Sequence, residues 1–146
     1  MGLTATARSI PGTLRQEVVI GGEHRLVTDE PVRVGGDASA PAPHELLPAA
    51  LAACVSTTLV VYARTKGWSL GDVFVAVDYD HRSTPHRFDV SIRLTGDLGD
   101  AQLARLEKVA RSCPVRRSIE AGFEFAETIE APAAASRRLA DAGGAS

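Results

Sequence analysis

The longest hydrophobic stretch of the chain covers residues 46–61, where every position is apolar or small apart from three adjacent hydroxylated residues. A helix at a protein surface needs a polar face, and this stretch has none, so the pattern is typical of a helix buried on all sides. Pro43 stands where the first turn of a helix tolerates proline, and Gly67 is placed to end the helix. The pattern therefore predicts a central core helix over residues 45–66.

Two segments after this helix alternate between apolar and polar positions, which is the period of a half-buried strand. Residues 73–79 and 88–94 each place four apolar side chains on one face: Val73, Val75, Val77 and Tyr79 in the first, and Phe88, Val90, Ile92 and Leu94 in the second. The connecting residues 81–86 form a short polar loop. We expect the two segments to pair as an antiparallel hairpin.

The N-terminal part of the chain predicts a second hairpin. Residues 13–20 have the composition of a strand and meet the dipeptide Gly21-Gly22, which favours a tight turn between strands. The return strand is predicted over residues 24–28, and residues 30–36 are predicted to continue as an extended segment. Residues 1–12 are small and polar, and we expect them to be frayed.

The C-terminal part predicts one amphipathic helix, one short helix and a last strand. Asp100 is a suitable N-cap for a helix with an apolar stripe at Leu103, Leu106, Val109 and Ala110. That helix ends at Cys113-Pro114, and residues 115–121 predict a short helix closed by Gly122. Residues 123–129 predict the last strand. Residues 132–146 are rich in alanine, and we expect a poorly ordered or weakly helical tail after a single domain over residues 13–131.

Length, charge and composition narrow the function classes. A chain of 146 residues with 45% hydrophobic residues fits one domain with one core. The net charge of −2 gives no reason to expect nucleic acid or an anionic membrane as partner. The uncharged stretch is also shorter than the ~20 residues that span a bilayer. The N-terminus lacks the apolar segment of a signal peptide, so we expect a cytoplasmic protein.

The four histidines, His24, His44, His81 and His86, are scattered, and none stands at metal-ligand spacing from a cysteine. We therefore expect neither a metal nor a bound cofactor.

The two cysteines are the candidates for chemistry. Cys54 falls in the middle of the predicted core helix, and a free cysteine in such a place often only packs. Cys113 precedes Pro114 and can act as the N-cap of the next helix, where amide groups and three nearby arginines favour a thiolate. Packing alone and nucleophilic chemistry are both open for Cys54 on this evidence.

The motif P-x-E-L-L-x-A-A-L-A-A-C at residues 43–54, followed by C-P-V at residues 113–115, resembles the osmotically induced protein and organic hydroperoxide resistance family (OsmC/Ohr). The resemblance covers roughly residues 13 to 130. It implies an α+β fold with antiparallel sheets around a long buried helix, in an intertwined homodimer with swapped N-terminal strands. It also implies a thiol-dependent peroxidase in which Cys54 attacks the peroxide and Cys113 resolves the product as a disulfide.

The resemblance gives Glu45 and an arginine of the first hairpin roles in activating Cys54. Nine helical residues turn the side chains of Glu45 and Cys54 about 180° apart with about 13.5 Å of rise between them, so they cannot meet in one chain. Glu45 either comes from a second chain or merely favours the start of its own helix. Arg25 is the first candidate for the arginine, followed by Arg15 and Arg33, because the segment GGEHRL departs from the family hairpin.

The function predicted first is therefore the reduction of organic hydroperoxides, with a lipoyl-like or thioredoxin-like dithiol as reductant. Two alternatives stay open. One is a family member without significant peroxidase activity that binds a small apolar molecule or a fatty acyl group. The other is a structural dimer with two inert thiols.

Overall fold

The computed structural model describes residues 2–132 and 134–138 of the chain. Its seven strands form three antiparallel sheets, and its longest helix lies between the first two sheets in sequence. The elements are β1 (Ala5–Ser9), β2 (Gln16–Ile20), β3 (His24–Thr28), α1 (Leu46–Lys66), β4 (Val73–Asp80), β5 (Arg87–Leu94), α2 (Asp100–Ala110), α3 (Pro114–Ala121), β6 (Thr128–Ala131) and β7 (Ala134–Arg138). The predicted α+β class is confirmed.

The N-terminal sheet has the strand order β1-β2-β3. The hairpin β2–β3 is confirmed, and Gly21 and Gly22 adopt the positive φ angles of 60° and 77° that its tight turn requires. Strand β1 corrects the expectation of a frayed segment over residues 1–12. Its backbone pairs with β2 over its whole length, from Ala5 opposite Ile20 to Ser9 opposite Gln16. Backbone pairing needs no apolar side chains, so composition did not indicate this strand.

The connection from β3 to α1 is tightly folded instead of extended. Residues 30–36 were predicted as an extended segment, but Val32–Val34 form a short 3-10 helix. The chain then turns so closely that a Cβ atom on Gly36 would lie 1.9 Å from the carbonyl oxygen of Glu30. The buried carboxylate of Asp29 accounts for the fold of this loop, since it accepts hydrogen bonds from both ends of it.

Helix α1 confirms the predicted core helix within one residue. A 3-10 helix at Pro43–Glu45 leads into it, and Gly67 ends it with a φ of 68°. The expected burial on all sides is not met within one chain. One face is buried, at Leu51, Val55, Leu59 and Ala63, whereas Val61 on another face is 55% exposed. By length and composition alone Pro43–Lys66 could span a membrane, a test that core helices of soluble proteins also pass.

The buried face of α1 packs against the hairpin β4–β5 and against α2. Both strands, the loop between them and their antiparallel pairing are confirmed, with Val73 opposite Leu94 and Tyr79 opposite Phe88. Helix α2 begins at Asp100 with Gly99 as its N-cap, one residue before the predicted cap. Its buried residues are Leu106, Val109 and Ala110, while the predicted stripe residue Leu103 is 44% exposed.

The C-terminal strands correct two expectations. The last strand was predicted over residues 123–129, but it begins at Thr128, and Phe123 and Phe125 are 65% and 77% exposed in a segment without regular structure. The tail was expected to be poorly ordered or weakly helical, but Ala134–Arg138 form β7, which pairs with β6. Backbone hydrogen bonds, which composition does not show, make this pair. Residues 139–146 lie outside the described residues.

Candidate functional site

The two cysteines lie together although they are far apart in sequence. Cys54 is half-buried in the middle of α1, and Cys113 is the fully buried N-cap of α3. Because α3 packs on α1, the two thiols are in hydrogen-bond contact. Both thiols are free, with no disulfide between them. A pair of adjacent thiols, one half-accessible and one buried, can cycle between the reduced and the disulfide form.

The surroundings of Cys113 correct one expectation. Its position at the start of α3 was expected to favour a thiolate, but burial raises the pKa of the Cys113 thiol above its usual value. The contact with Cys54 raises this pKa further, and the backbone N–H groups of Arg116 and Val115 offset only part of the rise. Cys113 is therefore held as a neutral thiol beside Cys54.

Two of the three arginines near Cys113 in sequence are paired with carboxylates. Arg111 pairs with Glu107 at 3.1 Å and Arg116 pairs with Glu120 at 2.8 Å, each along its own stretch of chain. A guanidinium already paired with a carboxylate is a weak source of positive charge for a thiol. For Arg111 and Arg116, this pairing is a physical reason why their charges do not counter the effect of burial on Cys113.

Glu45 has a local role in the chain. Its carboxylate accepts a hydrogen bond from the N–H of Ala42 at 2.8 Å, which caps the short 3-10 helix before α1. In the part of the chain that the structure describes, no hydrogen bond joins Glu45 to either cysteine. The structure therefore does not bring Glu45 and Cys54 together within one chain.

The three candidate arginines differ in their surroundings. Arg25 forms an ion pair with Glu17 on the neighbouring strand, and both side chains are exposed. Arg33 lies on the exposed 3-10 helix after β3. Arg15 is half-buried in the turn between β1 and β2, and its Nε atom is buried without a hydrogen-bond partner. Among the described residues none of the three is hydrogen-bonded to Cys54, and only Arg15 has a buried donor left unsatisfied.

Sequence reasoning missed Asp29, the most strongly held carboxylate of the described chain. It is 1% exposed and accepts hydrogen bonds from the N–H groups of Glu30, Asp37 and Ser39 and from the hydroxyl of Ser39, at 2.7 to 3.2 Å. These bonds lower the pKa of Asp29 to about 2. An aspartate at the end of a strand, followed by Pro, Gly-Gly and Ser, was the available signal for a side chain that organises a loop.

Among the described residues, no three His, Cys, Asp or Glu side chains are arranged to hold a metal ion. A cluster of rings lies just before α1, where His44 is edge-on to both Tyr79 and His81, and the rings of Tyr79 and His81 are tilted against each other. Tyr79 is hydrogen-bonded to Nδ1 of His86 at 2.7 Å.

Comparison with known proteins agrees with this architecture. The family model described as OsmC-like protein matches residues 36–128. No curated protein sequence matches the chain significantly. Three similar solved structures each share 24% of residues with the chain. A Psychrobacter arcticus osmotic stress induced and detoxification response protein has a TM-score of 0.67, with 80% of this chain and 88% of that chain covered.

The second similar structure is an organic hydroperoxide resistance protein OsmC from Legionella pneumophila, with a TM-score of 0.57 and coverage of 82% of this chain and 89% of that chain. The third is an organic hydroperoxide resistance protein from Vibrio cholerae, with captopril bound in one of its active sites. Its TM-score is 0.55, with 80% of this chain and 83% of that chain covered. At this identity the likeness establishes a shared fold.

Proposed function

The chain belongs to the OsmC-like protein family, and from this premise we propose that it is a thiol-dependent peroxidase that reduces organic hydroperoxides in the response to peroxide stress. The observation that carries the proposal is the contact between the thiols of Cys54 and Cys113. Similar structures named as hydroperoxide resistance proteins support the choice of substrate class.

The half-buried Cys54 is the proposed nucleophile, since a peroxide can reach it more easily than the fully buried Cys113. The Cys54 thiolate attacks the distal oxygen of the hydroperoxide, the O–O bond breaks, and the alkoxide leaves as the alcohol after taking up a proton. Cys54 is then a sulfenic acid. The sulfur of Cys113 attacks the sulfur of Cys54, water leaves, and a disulfide forms.

A dithiol reductant of lipoyl-like or thioredoxin-like chemistry then reduces the disulfide to the two thiols and is itself oxidised to a disulfide. No bound cofactor takes part in these steps. Because the cycle needs a supply of reduced dithiol, we place the protein in the cytoplasm, where such reductants are kept reduced.

Peroxide reduction needs Cys54 as the thiolate, and a nearby positive charge would stabilise that form. We propose Arg15 for this role in place of Arg25, which sequence reasoning placed first. Arg25 already pairs with Glu17, whereas the buried Nε of Arg15 has no partner within the described residues. A carboxylate from a second chain, Glu45, would satisfy this donor and hold the guanidinium by two hydrogen bonds.

This arrangement requires a homodimer. Helix α1 leaves an apolar face uncovered, and the proposed partner of Arg15 cannot come from the same chain. In the proposed dimer the N-terminal strands are exchanged between the two subunits, as the family resemblance implies, and each active site contains residues of both chains.

The decisive experiment measures thiol loss on addition of cumene hydroperoxide to the reduced protein. Wild type should lose both thiols of each chain and give the mass of an intramolecular disulfide. Cys54→Ser should not react, and Cys113→Ser should turn over once and stop as a sulfenic acid that dimedone traps. Thiol loss in Cys54→Ser equal to that of wild type would refute the assignment of the nucleophile. Absence of peroxide-dependent thiol loss in wild type would refute the peroxidase itself.

A further inference from the structure

The thiols of Cys54 and Cys113 form a pair of adjacent sulfur ligands. The two side chains are in hydrogen-bond contact, and Cys54 packs against the core cluster that contains Cys113. Both thiols are free, and among the described residues no group of three His, Cys, Asp or Glu side chains could hold a metal ion. Within the described chain the pair therefore offers two soft donors to a ligand that needs only two.

Two donors are too few for zinc, the metal ion that cysteine commonly binds. Zinc takes four protein ligands in structural sites and three in catalytic sites. Metal ions also bind thiolates, so both thiols would have to lose their protons. Burial opposes this loss at Cys113, because it raises the pKa of the thiol above its usual value. The number of donors and the neutral state of Cys113 both disfavour a zinc site.

The closeness of the two sulfurs distinguishes between ligands that need two thiols. A linear ion such as Cu⁺ holds its two sulfurs on opposite sides, and so further apart than two thiols in hydrogen-bond contact. Trivalent arsenic is pyramidal and holds two sulfurs on the same side, while its third position carries its own organic group. Cys54 and Cys113 lie on two packed helices, α1 and α3, which keep the sulfurs close. The arrangement therefore fits trivalent arsenic.

The reaction with arsenic also suits a buried neutral thiol. An organic arsenical RAs(OH)₂ exchanges its two hydroxyl groups for two sulfurs, so that two As–O bonds break and two As–S bonds form. The two thiol protons leave with the hydroxyl groups as two molecules of water, and arsenic stays trivalent, so nothing is oxidised or reduced. Because the product carries no net charge, no new charge is buried beside Cys113.

Access to the pair is from the side of Cys54. This thiol is half-buried, whereas Cys113 is 0% exposed. An arsenical therefore forms its first As–S bond with Cys54, which places the arsenic beside Cys113. The second bond then forms within one molecule, and such a two-point attachment can exceed a one-point attachment in affinity by about 10²–10⁴-fold.

We propose that Cys54 and Cys113 together form a binding site for trivalent arsenicals that carry one organic group and two exchangeable hydroxyl groups. This binding is a property of the reduced thiol pair and does not depend on the proposed peroxide chemistry. Because both sulfurs are bonded to arsenic in the complex, they cannot form a disulfide with each other. Binding of an arsenical and oxidation of the pair therefore exclude each other.

The test adds phenylarsine oxide, which in water gives such an arsenical, to the reduced full-length protein. The intact mass should show one phenylarsenic group in place of two hydrogens on each chain. Both thiols should become unreactive towards Ellman's reagent. Glutathione, which has one thiol, should not remove the group from wild type, whereas the dithiol dimercaptopropanol should restore both thiols.

Variants with one cysteine separate the pair from an ordinary thiol. Cys54→Ser and Cys113→Ser should each lose the phenylarsenic group at a glutathione concentration about a hundredfold or more below the one that wild type withstands. The matched control combines Cys113→Ser with Ser118→Cys, which moves the second thiol to an exposed position on α3. It should behave like Cys113→Ser. Near-ultraviolet circular dichroism verifies that each variant is folded, and Cys113→Ala replaces Cys113→Ser where that does not fold.

Three results would each overturn the inference. The first is removal of the group from wild type by glutathione as readily as from Cys113→Ser, since the arsenic would then hold one sulfur. The second is a reaction of wild type only in denaturant, since the pair would then be inaccessible in the assembled protein. The third is protection of both thiols by Zn²⁺ as complete as that by phenylarsine oxide, since the site would then have further ligands.

The outcome is separable from that of the peroxide experiment. Thiol loss on addition of cumene hydroperoxide is measured on protein that has not met the arsenical. A protein that binds phenylarsine oxide through both thiols but does not react with the peroxide would refute only the proposed peroxidase. A protein that reacts with the peroxide but holds the arsenical through one thiol would refute only the arsenical site.

Discussion

At the scale of single residues, the buried Cys113 thiol makes stability depend on alkaline pH. The folded state raises its pKa above the unfolded value, so Cys113 contributes stability that is fully present below about pH 9.0 and is lost as the pH rises through the higher pKa of the folded protein. The midpoint of urea unfolding should therefore fall more between pH 8 and pH 10 in wild type than in Cys113→Ala. Equal slopes for the two proteins across this range would contradict the prediction.

The activating arginine is tested by alkylation of Cys54. Lysine keeps the charge of arginine but cannot form its two-pronged bond with a carboxylate, so Arg15→Lys should slow alkylation of Cys54 by iodoacetamide about tenfold at neutral pH. The measurement is made in a Cys113→Ser background, so that one thiol reacts. Arg25→Lys and Arg33→Lys are matched controls and should react at the parent rate. A slow Arg25→Lys with a normal Arg15→Lys would return the role to Arg25.

The residues of the candidate site were predictable to different degrees. Cys54 and Cys113 could be named from the family motif, because each stands in a local sequence pattern. Their contact could not be derived from spacing, since it depends on how α3 packs on α1. The choice among the arginines was also beyond sequence. It depends on a cross-strand pairing that places Arg25 beside Glu17 and on the burial of a single atom of Arg15.

At the scale of elements, the loop between β3 and α1 depends on Asp29. Asparagine has one acceptor oxygen where the carboxylate has two, so Asp29→Asn leaves buried N–H groups unsatisfied and places an NH₂ group against donors. We expect the variant to unfold several degrees below wild type at pH 7. The low pKa of Asp29 means that its contribution is present above about pH 3.8 and disappears as the pH falls to about 2. The difference in melting temperature should narrow over that interval.

Asp37→Asn is the matched control for this prediction, because Asp37 lies in the same loop with its side chain exposed. Its melting temperature should equal that of wild type at every pH. A melting temperature of Asp29→Asn equal to that of wild type at pH 7 would show that the buried hydrogen bonds of the carboxylate do not stabilise the loop.

The elements that were predicted correctly share a strong side-chain pattern. The unbroken apolar run of α1, the alternation in β4 and β5 and the stripe of α2 each require burial of particular side chains, and burial is visible in sequence. Strands β1 and β7 and the 3-10 helix at Val32–Val34 are held by backbone pairing or by one buried carboxylate. Backbone pairing involves main-chain groups that every residue has, so the sequence does not distinguish β1 and β7, whereas the carboxylate that holds the loop left a signal only at Asp29 itself.

At the scale of the whole molecule, one side of α1 is left uncovered by the rest of the described chain. The core of a single chain buries Leu51, Val55, Leu59 and Ala63, which are spaced at intervals of four and lie on one side of the helix. Another side presents Ala50, Ala53, Thr57 and Val61 as exposed residues. Small and apolar residues at this spacing allow two helices to approach closely. From Ala50 to Val61 this side carries no charged residue, and such a surface is stable in water when a second surface covers it.

We therefore predict that the protein is a dimer at micromolar concentration and that the exposed side of α1 lies in the interface. Val61→Glu places a charge where an apolar residue is 55% exposed in one chain, so burying it on association is costly. The variant should sediment largely as monomer, with the dimer weakened about a hundredfold or more. Ser118→Glu, an exposed position on α3, should sediment as wild type.

If Glu45 of the second chain binds Arg15, alkylation of Cys54 should also be slow in the Val61→Glu monomer. A well-folded wild-type monomer with rapid Cys54 alkylation would refute both the dimer and the shared site.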